Sequence, residues 1–265
     1  IIGLKSGANE AAGNGLDGIL VGGVNNVRIG TNGDGVSDGW EGNNIGANGF
    51  HGIRIDTGYG HKISGNIIGV GVNGVVLGNG RSGIQLGPSV SDSTIGTDES
   101  NPTYNPSERN IISGNLNSGI DLQGYLVHVA GNYIGTDPGG TADRGNTQNG
   151  IYIEGHDNTI GTDGDGNADQ YEYNVISGNT MHGILVIGTT ASNNILAGNI
   201  IGLNVSGTLA LANTLSGISL QNGPSGTHIG VGGTSTSDSY ERNTISGNGG
   251  SGIIITSAGS TTICG

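Results

Sequence analysis

Apolar side chains come in short alternating bursts along the whole chain. Ile53 and Ile55, Ile84 and Leu86, Ile151 and Ile153, and Ile218 and Leu220 each flank one other residue. That period of two puts one side chain inward and the next outward, as in a strand. Gly or Asn closes each burst, and no stretch carries a helical period with caps. The pattern predicts an all-β chain of many short strands joined by tight turns.

The bursts recur at fixed intervals. "IIGLKSG" begins at 1, "IIGVGVNG" at 67, "YIGTDPGG" at 133 and "IIGLNVSG" at 200, so equivalent positions lie 66 or 67 residues apart. Each unit repeats the same landmarks. Gly18, Gly83, Gly150 and Gly217 precede an Ile, and Gly52, Gly119, Gly183 and Gly252 do so later in the unit. Glu41, Glu108, Glu172 and Glu241 each stand two residues before an Asn. Division of a unit into three passes of about 22 residues predicts a solenoid of about twelve coils, four superrepeats of three coils each. Stacked at about 4.8 Å, such coils would make a rod roughly 58 Å long. Asn66, Asn115, Asn132, Asn179, Asn199 and Asn248 close "SGN", "AGN" or related turns. Asn tolerates left-handed backbone and its amide can form ladders between stacked coils.

Composition agrees with this reading. Gly accounts for 57 of 265 residues, aromatics for 4% and charged residues for 11%, while 32% are hydrophobic. The β-branched content argues against disorder, and five Pro with irregular Gly spacing argue against collagen. The net charge of −13 disfavours nucleic acid and anionic lipid as partners. No apolar run reaches the roughly 20 residues of a membrane span, so no membrane insertion is expected. Cys264 is the one cysteine and has no internal disulfide partner.

The repeated pattern N-x-I-S-G-N-x-x-x-G-I-x-I resembles the right-handed parallel β-helix repeat family, with the pectate-lyase-like fold, over essentially all 265 residues. The Gly/Asn-rich variety is similar to bacterial secreted and cell-surface proteins. The resemblance implies the fold. It leaves open polysaccharide lyases, glycoside hydrolases, epimerases, tailspikes, adhesins and surface-array proteins.

Candidate chemistry lies first in the acidic loops. "TDGDGNADQYEYN" (162–174) gathers Asp163, Asp165, Asp169 and Glu172; "TNGDGVSDGWEGN" (31–43) aligns with it and offers Asp34, Asp38 and Glu41. Alternating acids in a Gly-rich loop suit calcium, which takes six to eight oxygen ligands. The other two copies retain fewer acids, Asp98, Glu99 and Glu108 in one and Asp238 and Glu241 in the other. The competing reading is a solvated turn whose acids cap backbone N–H groups, and the Glu in every unit is expected to be structural. Trp40, Tyr171 and Tyr240 each precede that Glu. They are expected to pack the loop, or else to form a sugar platform. The densest mixture of acid and base is Arg54 and Asp56, on the outward face of one strand, with His61 and Lys62 close in sequence. "YGHKIS" faintly resembles one hydrolase signature; the others are missing.

The expectation is therefore a single domain over 1–265, a segment of a longer repeat protein. It is read as a non-catalytic, extracellular or cell-surface structural or adhesive rod, stabilised by calcium and able to associate end to end. The alternative is a polysaccharide-active enzyme, or the carbohydrate-binding helix of one, with polysaccharide or surface glycan as partner.

Overall fold

A computed structural model describes residues 1–98, 105–230 and 239–265. Glu99 and Asp238 lie outside the described residues.

The alternating bursts become the strands of three parallel sheets that wrap into a β-helix. The first sheet stacks eight strands, from Ile19–Val21 through Ile53–Tyr59, Ile84–Ser91, Ile120–Leu122, Ile151–Ile153, Ile184–Ile187 and Ile218–Gln221 to Ile253–Thr256. The second stacks eight, from Arg28–Gly30 to Thr261–Cys264. The third stacks seven two-residue strands, from Asn44–Ile45 to Thr244–Ile245. The chain visits the three sheets in turn, and every strand-to-strand pairing in them is parallel.

One turn is longer than the sequence suggests. Stacked Asn residues on one corner are separated by 34, 31, 36, 31, 33, 34 and 35 residues. The molecule thus has about seven turns, not twelve, and each 66-residue spacing holds two turns rather than three. At the inter-strand spacing the rod is roughly 34 Å long. A turn is this long because it carries three strands plus one long corner loop. Those loops alternate between corners. On one set of turns the extra residues fall between the second and third sheets, where the short helical segments Asp38–Glu41, Asn105–Glu108 and Asp169–Glu172 lie. On the intervening turns they fall between the third and first sheets, closed by antiparallel bridges Leu4–Ala11, Val70–Val76, Thr136–Asp143 and Leu203–Ala210.

Inward side chains stack in aliphatic columns. Ile53, Ile84, Ile120, Ile151, Ile184 and Ile218 form one. Ile63, Ile95, Val129, Ile160, Leu196 and Ile229 face them from the second sheet, and Ile45, Ile68, Ile112, Ile134, Ile176 and Ile201 from the third; all belong to one buried cluster. Burying each aliphatic side chain contributes about 1.5–3 kcal/mol. The Gly before each first-sheet strand admits this packing. At Gly119 a Cβ would stand 2.7 Å from both Ile134 Cγ2 and the Gly150 carbonyl oxygen.

Asn residues fasten the corners in two ladders. The six named from sequence divide between them. Asn66, Asn132 and Asn199 belong to one, with Asn43, Asn110, Asn174 and Asn243. Asn115, Asn179 and Asn248 belong to the other. Each fully buried Asn satisfies backbone as well as its neighbour. Asn132 Nδ2 donates to the Ile95 carbonyl at 2.8 Å and to Asn174 Oδ1 at 3.0 Å. The ladders thus supply the corner groups that no strand pairs.

Candidate functional site

Outward positions of the first sheet carry the chemistry. The parallel register aligns Leu20, Arg54, Gln85, Asp121, Tyr152, Leu185, Ser219 and Ile254 in one outward column. Four consecutive members, Arg54 to Tyr152, are large and polar or charged; the strands on either side carry Leu. Along this column the run of large polar side chains is confined to these four strands, with the small Ser219 as the other polar member.

Neighbouring positions extend the cluster. Arg54 Nε pairs with Asp56 Oδ1 at 2.7 Å. Gln123 Nε2 donates to Asp121 Oδ1 at 3.2 Å, and the Tyr152 hydroxyl donates to Glu154 Oε1 at 2.6 Å. The Arg81 guanidinium lies over the Phe50 ring, 4.9 Å from its centre. Asn117, Asp121 and Gln123 line two adjoining depressions, of about 310 and 230 Å³, which together make a groove along the sheet face. Tyr152 and Glu154 stand at one end, with His51, Arg54 and Arg81 at the other. Beyond Glu154 the groove meets His156, whose ring stacks on Tyr125 at 5.0 Å.

The electrostatics distinguish the acids. Burial pushes the Asp121 carboxyl up to about 6; the Gln123 hydrogen bond opposes this, and the nearby Glu154 charge adds to it. Asp121 therefore keeps a proton over much of the mildly acidic range. The Tyr152 phenol is raised, by burial and then by its bond to Glu154, and stays a donor. Burial holds His51 below the usual imidazole value, although Asp17 opposes this. Its ring is largely buried and Nδ1 has no hydrogen-bond partner. A carboxyl raised by burial, a second carboxyl held by a phenol and two guanidinium groups therefore share one groove about four strands wide.

The structure redistributes the residues singled out from sequence. Arg54 and Asp56 do belong to the cluster. His61 does not; it is fully buried at the corner between the first and second sheets, where its backbone N–H donates to Ser93 Oγ. Lys62 turns to Asp98, which also meets Arg28 at 3.6 Å. His51 and His182 are also buried. Asp121, Tyr152 and Glu154 were missed because a 22-residue turn misaligns the column that contains them. At the true spacing they fall in line with Arg54.

Both acidic loops sit at the corner between the second and third sheets. The repeated Glu fastens the loop to itself. Glu41 Oε2 accepts the Thr31 hydroxyl and the Asn32 N–H, each at 3.0 Å; Glu108 Oε2 accepts from Thr97, and Glu172 Oε2 from the Asp163 N–H. Asp163, Asp165 and Asp169 each bring a carboxylate oxygen within 4.8 Å of the others, and Glu172 forms a second such group with His128 and Asp163. Among the described residues, Asp34, Asp38 and Glu41 do not converge in this way. Trp40 is 92% exposed and Tyr240 49%, so neither packs its loop down; Tyr171 is half-buried.

No family model matches the chain, and no curated protein matches it. Two solved structures do: the periplasmic alginate epimerase AlgG and a double mutant of it, at 18% and 17% identity and TM-scores of 0.54 and 0.53. Each match covers 94% of this chain and 48% of the epimerase, so the chain spans about half the length of the structures it matches. The likeness is one of fold. No helix among the described residues is long and apolar enough to cross a membrane.

Proposed function

We propose that the protein is a polysaccharide-active β-helix that receives a glycan chain along the groove of its first sheet. The observation that carries this reading is Asp121, a partly buried carboxyl placed between a cationic end and the Tyr152–Glu154 pair, its pKa raised by that burial. A sugar seated there would gain a proton from Asp121, while the Glu154 carboxylate would accept one from the sugar or from an attacking water. That exchange underlies hydrolysis, elimination and epimerisation alike. Asn117, Gln123 and Gln148 suit sugar hydroxyls, and Arg54 and Arg81 suit an anionic substituent. The fold shared with an alginate epimerase makes alginate the first substrate to try, in an extracytoplasmic setting.

The test is turnover on a panel of polysaccharides, read for new reducing ends, unsaturated products and changed C5 stereochemistry. Turnover should fall at least about 100-fold in Asp121→Asn, with glycan binding retained. Equal turnover in the variant would overturn the assignment of Asp121.

A second reading, a non-catalytic structural or adhesive rod, is favoured by the exposed Trp40 and Tyr240 on the loop corner, with Tyr171 between them in the sequence. Glycan binding that survives Asp121→Asn and fails in Trp40→Ala, with no turnover on any substrate, would select it.

A further inference from the structure

The two aligned acidic loops differ in one respect that bears on metal. In the loop at 31–43 the second carboxylate oxygens already have donors. Asn32 Nδ2 donates to Asp34 Oδ2 at 2.9 Å, and Ser107, from the loop two turns on, donates to Asp38 Oδ2 at 3.1 Å. Asp38 also takes the Gly35 N–H on both oxygens. Neutral donors thus already satisfy both oxygens of Asp34 and of Asp38.

The loop at 162–174 makes the same backbone bonds. Asp165 N–H donates to Asp163 Oδ1, Asn167 N–H to Asp165 Oδ1 and Gly166 N–H to Asp169 Oδ1. Asp163 replaces the Asn32 amide donor with a carboxylate. Asp169 is only 3% exposed, yet its Oδ2 has no hydrogen-bond partner. One Asp169 carboxylate oxygen lies within 4.8 Å of an oxygen from each of Asp163 and Asp165. Among the described residues no Lys or Arg pairs with any of the three. A buried carboxylate oxygen without a donor, beside two like charges, is costly. A divalent cation removes that cost and uses the oxygens the backbone leaves over.

We infer that this loop binds one calcium ion through Asp163, Asp165 and Asp169, and that the loop at 31–43 does not. Oxygen-only donors on a loop favour calcium over softer metals. The ion ties the corner between the second and third sheets and lies away from the groove, so its fate and that of the polysaccharide reading are separable.

Calcium chloride alone, titrated calorimetrically into chelator-stripped protein, tests it. One site per chain is expected, with a thermal midpoint raised by several degrees at saturating calcium. Asp165→Asn, an exposed change, should weaken binding at least about tenfold, while Asp34→Asn leaves it intact; circular dichroism confirms that both fold. No heat and no shift up to millimolar calcium would overturn the assignment. So would binding that is lost in Asp34→Asn and kept in Asp165→Asn, or a preference for zinc over calcium.

Discussion

At Glu108 burial, and then the charge of Asp98, push the carboxyl up to about 7 from its ordinary 4.5. Between those values the folded chain holds a proton that the unfolded chain has released, so stability falls as the pH rises through that window. Asp121 acts in the same direction from 3.8 to about 6. Each pKa unit corresponds to about 1.4 kcal/mol. Urea midpoints should therefore drop between pH 4.5 and 7.5. Glu108→Gln should flatten part of the drop, and adding Asp121→Asn should flatten more. An unchanged slope in the double variant would place the pH dependence elsewhere. Such single residues were only partly legible in the sequence. The repeated Glu announced a structural task because it persisted where its loop did not. Asp121 gave no signal of its own, since it differs from an ordinary outward strand residue only in what the next turns place beside it.

The elements were legible in kind but not in register. Period-two bursts marked the strands, and the turn Asn residues marked the ladders. The length of a turn was hidden because the long loop changes corner on alternate turns. The second ladder records this directly, with steps of 23, 44, 22, 42, 25 and 44 residues. Adjacent turns therefore fall out of step at this corner, although the other corner keeps steps of 31 to 36 residues. Two substitutions probe the elements. Gly119→Ala forces a Cβ against Ile134 and the Gly150 carbonyl, neither of which can withdraw easily, and should cost about 1–3 kcal/mol in urea unfolding. Asn132→Ala strips donors from the Ile95 carbonyl and an acceptor from Asn110, at about 1–3 kcal/mol for each group left unsatisfied. Asn14→Ala, at the partly exposed start of the other ladder, should cost much less.

At the scale of the molecule, each turn's strands pair only with those of adjacent turns, while the corner loops also reach two turns away, as Ser107 does to Asp38, so stability is close to a sum of turn and interface terms with a smaller loop-to-loop contribution. Middle turns are packed on both sides. In the last first-sheet strand, Ile254 and Ile255 are 36% and 41% exposed, whereas their counterparts Ser219 and Leu220 are fully buried. Amide exchange should therefore be slowest between about residues 110 and 201 and fastest in the outermost strands. Uniform protection along the rod would mean that the turns melt as one unit.

The alternation of long loops between two corners sets a parity on how such a rod can lengthen. Duplicating one turn would bring two like loops to the same corner on adjacent levels, where the helical segments would collide. It would also set the other corner out of step. Duplicating two turns keeps both corners in phase. The heritable module is thus a pair of turns. Any descendant of this chain that grows by internal duplication should gain length in even steps, leaving each face free to acquire its own chemistry.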